Sequence, residues 1–213
     1  MKIDAERRAA VDRALLSCVF DALPRPLQDA HLVRPVLIGG VAPDGDGFAL
    51  TRPLDFLGPA PQALMPKLGI KTWRDAGGLG IIYAGVAMIA VLNPLLRAPT
   101  APQRLMARSW ARTGTALKLY LSPYLDFSDI SEARFLAHAG TCRRISACLR
   151  GQSALRFDAL APRLGQMAQQ WAASLPAGAW ILDLALRPDD RIGLVEVNPA
   201  LSPPDLAALD SVP

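Results

Sequence analysis

The stretch Trp180–Ala200, WILDLALRPDDRIGLVEVNPA, decides the fold because it consists of two alternating runs joined by a turn signal. Leu, Ile and Val dominate both runs, and Pro188-Asp189-Asp190-Arg191 separates them, which predicts a β-hairpin. If Pro188 lies opposite Arg191, through a loop of two or of four residues, Asp183 faces Glu196. The same register places Arg187 opposite Ile192 and Ile181 opposite Asn198.

The two faces of the predicted hairpin differ in chemistry because side chains alternate across a strand. The polar face carries Asp183, Glu196 and Asn198, and opposed carboxylates whose Cβ atoms lie about 5 Å apart repel each other. A magnesium ion would remove this repulsion, since it takes hard oxygen ligands and commonly needs only one or two carboxylates. The alternative is a half-exposed hairpin whose acids meet water or an arginine. The aliphatic face is predicted to form the core side and consists of Leu182, Leu184, Leu186, Val195 and Val197.

The length and composition indicate a globular protein. At 213 residues the chain is long enough for one domain or for two small lobes that share a cleft. Hydrophobic residues make up 51% of it, and the net charge is +4, carried by nineteen Arg and four Lys against 19 acids. Such a surplus of positive charge favours binding to nucleic acid, phosphate or an acidic protein. The arginines are scattered without interleaved aromatic residues, so a nucleic-acid partner is disfavoured.

Cysteine usage and apolar runs bear on the compartment. Three cysteines without CxxC spacing argue against a disulfide framework or a zinc site and favour a reducing compartment. The N-terminal sequence MKIDAERRAAVDR lacks the apolar core of a secretory signal. The longest apolar run, Leu79–Leu92, is shorter than the roughly 20 residues of a membrane span. These features predict a cytoplasmic protein that does not span a membrane.

Periodicity and turn residues predict the remaining elements. Helices are predicted at Asp4–Leu23, ending before Pro24, and at Phe157–Leu175. Strands are predicted at Val33–Ile38, around Lys67, at Leu117–Tyr124 and at Ser131–Gly140, and a turn then leads into Cys142–Leu149. Leu79–Leu92 is predicted to be an apolar helix or strand that ends at Pro94. We expect Gly39–Gly47 to be a turn and Arg97–Arg112 to be a proline-bounded connection.

Four charged residues on predicted strands are candidates for a site. A lysine in an apolar strand is paired or functional, so Lys67 is a phosphate candidate, and Lys118 lies on the next predicted strand. Glu132 and Arg134 share one face of a third strand, where Arg134 could bind phosphate. The alternative for this pair is an ordinary surface ion pair. A serine hydrolase is disfavoured because the sequence has no GxSxG motif.

The order of these motifs resembles that of the ATP-grasp superfamily. More narrowly, it resembles the cell division cycle protein 123 family, eukaryotic ATP-grasp proteins that help to assemble translation initiation factor two. The resemblance covers about residues 60–205. It rests on Pro66-Lys67-Leu68, Asp75-Ala76, Glu132-x-Arg134-Phe135, Ile145-Ser146, Asp183, and Glu196-x-Asn198-Pro199 followed by Asp205.

The resemblance implies an α+β, ATP-grasp-like fold in which two small α+β lobes with antiparallel sheets enclose a nucleotide cleft. Residues 1–60 would form an N-terminal helical and turn segment packed on the core, and residues 61–213 the ATP-grasp-like domain. Magnesium would be held by Asp183, Glu196 and Asn198. ATP would be bound by Lys67, Lys118, Glu132 and Arg134, with Arg134 facing the terminal phosphate as the catalytic residue.

Three functions agree with this interpretation. The first is an ATP- and magnesium-binding protein that acts as a ligase, such as a carboxylate–amine ligase, or as a phosphotransferase through an acylphosphate. The second is a nucleotide-dependent assembly chaperone with a protein client, and the third is a nucleotide-free scaffold. The sequence does not identify the acceptor substrate or the client.

Overall fold

The computed structural model describes residues 2–52, 58–69, 71–72 and 80–210, and the motif Asp75-Ala76 lies outside these ranges. The helices are α1 (Lys2–Ser17), α2 (Arg25–Ala30), α3 (Met88–Arg97), α4 (Ala101–Thr113), α5 (Gly151–Ala154), α6 (Phe157–Ala172) and α7 (Pro203–Asp210). The strands are β1 (Val36–Asp44), β2 (Gly47–Leu50), β3 (Leu64–Leu68), β4 (Lys71–Thr72), β5 (Leu117–Pro123), β6 (Ser131–His138), β7 (Thr141–Cys148), β8 (Ala179–Leu186) and β9 (Ile192–Pro199).

Contacts divide the chain into two compact units, and each contains one antiparallel sheet. The first unit comprises Met1–Asp12, Arg34–Tyr124 and Ala207–Pro213, and its sheet has the order β2-β1-β5-β3-β4. The second unit comprises Arg13–Val33 and Leu125–Leu206, and its sheet has the order β7-β6-β8-β9. The predicted α+β class with two antiparallel sheets is therefore confirmed. The proposed boundary at residue 60 stays a prediction, although residues 36–50 supply two strands of the first sheet.

Two predictions for the first unit are wrong. The expected turn Gly39–Gly47 is mostly strand, because β1 runs on to Asp44 and pairs with both β2 and β5. Only Gly45 and Asp46 form the turn, and Gly45 has a φ of +55°, a conformation that glycine adopts without steric cost. The expected connection Arg97–Arg112 is mostly the helix α4. A capping box starts this helix: the Thr100 N–H donates to Gln103 Oε1 at 2.8 Å, and the Gln103 N–H donates to Thr100 Oγ1 at 3.4 Å.

Apolar side chains at helical spacing form the remaining helices, but several ends differ from the predictions. The first helix stops at Ser17 rather than Leu23 and is followed by a short 3-10 turn, Phe20–Ala22. In the apolar run, α3 begins only at Met88, and Pro94 lies inside the helix rather than ending it. The helix α6 ends at Ala172 rather than Leu175. Within the described ranges, none of the helices is long and apolar enough to cross a membrane.

The hairpin β8–β9 forms as predicted at Asp183, which faces Glu196, but its loop differs. The Arg187 N–H donates to the Arg191 carbonyl at 2.9 Å, so the loop contains three residues rather than two or four. Such loops end in a left-handed residue, and Asp190 has a φ of +63°. One extra residue in β9, between Glu196 and Leu194, then restores the predicted register.

Because of this bulge, two pairs of the hairpin differ from the predicted register. Leu186, not Arg187, faces Ile192, and Leu184 faces Leu194. Val195 was expected in the core but is only half-buried, and the fully buried Leu194 takes its place. The core of the second unit lies between this face of the sheet and α6. Its buried residues include Ala133, Phe135, Leu182, Leu184, Leu194, Val197, Phe157, Leu164 and Ala168.

Candidate functional site

Strand pairing in the second unit brings five of the predicted site residues to one face of the sheet, and Glu132 lies at the margin of this group. Arg134 of β6 faces Asp183 of β8, and Asp183 faces Glu196 of β9. Asn198 follows on the same face of β9, opposite Ile181. Three neighbouring strands therefore present a cation, two carboxylates and an amide side by side. The opposite face of these strands is apolar, and α6 packs against it at β6 and β8. Burial of one face fixes the register of the strands.

Arg134 and Asp183 form a two-bond ion pair across the β6–β8 interface. Arg134 Nε donates to Asp183 Oδ1 at 2.7 Å, and Nη2 donates to Oδ2 at 2.7 Å. The Asp183 side chain is only 10% exposed, whereas that of Arg134 is 51% exposed. Parallel bonds of this kind are stronger than neutral hydrogen bonds and fix the orientation of both groups. The arginine alternative left open by the sequence is thus what the structure shows for Asp183.

Electrostatics at this face favour the charged form of the arginine. The hydrogen bond that Arg134 donates to Asp183 raises the pKa of Arg134 above its ordinary value, while partial burial opposes the rise. The charges of Asp183, Glu196 and Glu132 add to the increase in this pKa. Arg134 is therefore the positive charge that offsets a group of three acids. The premise of two opposed acids without a partner cation is wrong for the pair Asp183 and Glu196.

Glu132 lies at the β7 side of the same face. Its Oε2 atom is 3.8 Å from Nη2 of Arg150, so its ion pair is formed with Arg150. Arg150 Nε also donates to Cys148 Sγ at 3.2 Å, and this bond raises the pKa of Arg150. Cys148 faces Glu132 across the β6–β7 pair. Both members of this ion pair are partly exposed, so it is expected to add little to stability.

Lys67 and Lys118 lie in the first unit, on its five-stranded sheet. Lys67 of β3 faces Tyr120 of β5, and Lys118 precedes Tyr120 by two residues. Because side chains alternate along a strand, both lysines lie on the same face of that sheet as diagonal neighbours. Both are half-buried, as expected for lysines placed in apolar strands. The predicted residues thus form two groups, one in each unit.

The hard oxygen atoms of Asp183, Glu196 and Asn198 suit magnesium chemically. An ionised carboxylate has about four lone-pair positions, so Asp183 keeps acceptor capacity after it binds Arg134. In the described part of the chain, no group of three or more His, Cys, Asp or Glu side chains is arranged to hold a metal ion. A site here would need the amide of Asn198 and oxygen atoms from a bound phosphate. The residues fit magnesium only as part of a nucleotide complex.

The sequence interpretation missed the contribution of β7 to this face. Ser146 faces Arg134, and Arg143 faces Leu136, so both lie on the polar side of the sheet. The sequence predicted a turn into Cys142–Leu149 but assigned this run no place at the site, because β7 is almost fully exposed and lacks an apolar alternation. The predicted turn is present at Ala139-Gly140, where both residues have positive φ values, 51° and 75°.

Neither a protein-family model nor a curated protein matches this sequence. Solved structures do match it. Cdc123 from Schizosaccharomyces pombe aligns with a TM-score of 0.61 and 17% identity, over 89% of this chain and 85% of that chain. The chain has the fold of Cdc123. A C-terminally truncated form of the same yeast protein gives a TM-score of 0.61, 15% identity and coverage of 88% and 85%.

The similarity to Cdc123 confirms, for the fold, the resemblance suggested by the order of the sequence motifs. It extends over most of both chains, well beyond residues 60–205. A biotin carboxylase complex from Campylobacter jejuni aligns less closely, with a TM-score of 0.35, 13% identity and coverage of 71% of this chain and 38% of that chain. At these identities the likeness concerns the fold, and function depends on the residues of the site.

Proposed function

We propose that the protein binds ATP together with magnesium. The observation that carries this proposal is the placement of Arg134, Asp183, Glu196 and Asn198 on one face of the second sheet. Asp183, Glu196 and Asn198 would hold the cation, and Arg134 would bind the terminal phosphate. Lys67 and Lys118, on the sheet of the first unit, are proposed as phosphate contacts in their own right, and Glu132 lies at the margin of the group on the second sheet. Magnesium, when bound, neutralises phosphate charge.

The ion pair between Arg134 and Asp183 means that both residues would change partners when ATP and magnesium bind. In the structure, the arginine compensates the nearly buried carboxylate of Asp183. On binding, Arg134 turns its guanidinium to a phosphate, and Asp183 turns lone pairs to the cation. Each charged group exchanges one opposite charge for another, so neither is left buried without compensation. This exchange avoids the several kcal/mol that an uncompensated buried charge costs.

The site supports nucleotide binding more strongly than a ligase reaction. Charge stabilisation by the metal and the cations is available, but the described part of the chain offers no acid–base residue at the site beyond the proposed ligands. The fold of Cdc123 and the motif order favour a second candidate, a nucleotide-dependent assembly chaperone for a protein client in the cytoplasm. Turnover of ATP in the absence of a client would favour the ligase or phosphotransferase class.

A thermal-shift titration tests the proposal. ATP alone should stabilise the protein weakly, and ATP with magnesium clearly, because a ligand that binds only the folded state raises apparent stability by mass action. Glu196→Gln should reduce the magnesium-dependent part of the shift. Asp158→Asn, an exposed acid at the start of α6, is the matched control and should leave it unchanged. Equal shifts with magnesium and with EDTA would contradict the metal assignment.

A further inference from the structure

The two edge strands of the sheet in the second unit, β9 and β7, differ in whether other parts of the chain cover their backbone. At the β9 edge, the Leu32 N–H donates to the Leu194 carbonyl at 2.9 Å, and His31 forms a parallel bridge with Leu194. Gly193 allows this close cover, because a Cβ atom at this position would lie 2.5 Å from Leu32 Cγ. At Leu194 the chain therefore covers this edge of the sheet with its own backbone. This closure is a known way to protect unpaired strand groups.

The other edge, formed by β7, is open. Among the described residues β7 pairs only with β6, and every residue of the strand except Cys142 is exposed. The strand is 8 residues long and contains no proline. Its bulge residue Ile145 is 42% exposed, and Leu149, which follows the strand, is 50% exposed. A long, exposed edge with apolar side chains pairs readily with another chain.

Charge is the second feature of this edge. Residues 133–157 contain five arginines and no Asp or Glu. Arg134, Arg150 and Arg156 are bonded to carboxylates elsewhere in the chain. Arg143 and Arg144 are exposed and form no ion pair with any described residue. Arg144 instead holds its Cζ atom 5.4 Å from the centroid of the Phe157 ring.

We propose that β7 docks an extended, acidic segment of a partner protein, which adds to the sheet as a further strand. Main-chain hydrogen bonds to β7 would supply affinity, as in other cases of strand addition. Arg143 and Arg144 lie on opposite faces of the sheet, because they face Leu136 and Phe135, so the segment needs carboxylates on both faces. Ile145 and Leu149 would contact its apolar side chains. This inference does not depend on nucleotide binding.

The same features favour a peptide over a nucleic acid. Unpaired N–H and C=O groups along a strand match the spacing of another peptide backbone. Single-stranded nucleic acids bind instead by stacking bases on aromatic side chains. The strand β7 contains no aromatic residue, and the nearby Phe157 is 2% exposed and lies under Arg144. An acidic peptide is therefore the occupant that this edge fits.

Two labelled peptides as long as β7 test the proposal by fluorescence anisotropy, one repeating Glu-Glu-Val-Val and one repeating Lys-Lys-Val-Val, so that each carries charges on both faces of the added strand. We expect the acidic peptide to bind and the basic peptide not to bind. The double variant Arg143→Glu/Arg144→Glu should weaken binding at least about tenfold. The matched control Arg13→Glu/Arg163→Glu makes the same charge change at two exposed positions of the second unit and should bind normally. Circular dichroism verifies that both variants are folded.

Amide hydrogen exchange separates strand addition from loose charge attraction. Bound acidic peptide should slow exchange within residues 141–149 and should leave the covered β9 edge unchanged. Absence of binding up to about 1 mM, or binding without this protection, would overturn the proposal. Equal loss of affinity in the control variant would also overturn it, because the effect would then follow net charge alone. Displacement of the peptide by a single-stranded oligonucleotide that binds more tightly would assign the edge to nucleic acid instead.

Discussion

Arg134 and Asp183 face each other on neighbouring strands and are joined by two hydrogen bonds of 2.7 Å. The sequence interpretation assigned the arginine to a phosphate and the aspartate to a metal ion, whereas the structure pairs them with each other. Such a pair keeps both groups oriented and charged before a ligand arrives. A nucleotide bound as proposed would therefore compete with this ion pair.

The ion pair reverses the expected effect of removing the Asp183 charge. Repulsion between Asp183 and Glu196 predicts that Asp183→Asn leaves the ligand-free protein as stable or more stable. Because Asp183 instead accepts two bonds from Arg134, we expect this variant to lose about 1–3 kcal/mol of unfolding free energy, the scale of hydrogen bonds to charged groups. Urea unfolding in EDTA measures the difference. Unchanged stability would show that repulsion from Glu196 cancels the ion pair.

Arg134→Ala tests the position of the arginine relative to the phosphates. If Arg134 binds the γ-phosphate, the substitution should weaken the binding of ATP more than the binding of ADP, because only ATP carries a γ-phosphate. Titrations of both nucleotides with magnesium, followed by thermal shift or calorimetry, give the ratio of variant to wild-type affinity for each nucleotide. Arg163→Ala removes an exposed arginine from α6 and serves as the control. Identical losses for ATP and ADP would place Arg134 elsewhere in the site.

Lys67→Met tests whether Lys67, a predicted phosphate contact in the first unit, is needed for nucleotide binding. The substitution keeps an unbranched apolar side chain of nearly the same length and removes the charge. We expect the variant to lose the stabilisation by ATP with magnesium while its ligand-free fold stays intact. Thermal unfolding with and without ligand measures both properties. A variant that unfolds without ligand would indicate that Lys67 is a paired structural residue instead.

Much of the second unit could be predicted because its chemistry is local and alternating. The pairing of Asp183 with Glu196 was correct, although the loop and the bulge each shifted the register by one residue and the two shifts cancelled. The left-handed conformation of Asp190 has only a weak sequence signal, since Asp tolerates it less often than Gly. Hairpin register could therefore be predicted at the site but not near the loop.

The partner of Asp183 could not be predicted, because it depends on pairing between strands that are distant in sequence. Nothing in the strand Ser131–Gly140 specifies that Arg134 rather than Leu136 faces Asp183; the register of β6 with β8 decides it. The helix α4 was missed for a different reason. Its prolines and arginines suggested a connection, but Thr100 and Gln103 already formed the sequence signature of a capping box.

A buried ion pair in the first unit gives the last prediction. Asp12 of α1 is 4% exposed and accepts hydrogen bonds from three groups of α4: Ser109 Oγ at 2.6 Å, and Nε and Nη2 of Arg112 at 3.1 and 2.8 Å. Removal of one partner leaves the other with its desolvation penalty but without compensation. We therefore expect Asp12→Ala to cost about 3 kcal/mol of unfolding free energy, as measured by urea unfolding.

The surface ion pair of Arg25 with Asp29 provides the matched control. These side chains lie four residues apart on α2 and are 73% and 47% exposed. Exposed pairs at this helical spacing contribute about 0.3–0.5 kcal/mol, because water screens both charges. Asp29→Ala should therefore cost several times less than Asp12→Ala in the same assay. Ser109→Ala, which removes one neutral donor, should lie between them at about 1 kcal/mol. Similar costs for Asp12→Ala and Asp29→Ala would mean that burial does not determine the strength of the Asp12 interactions.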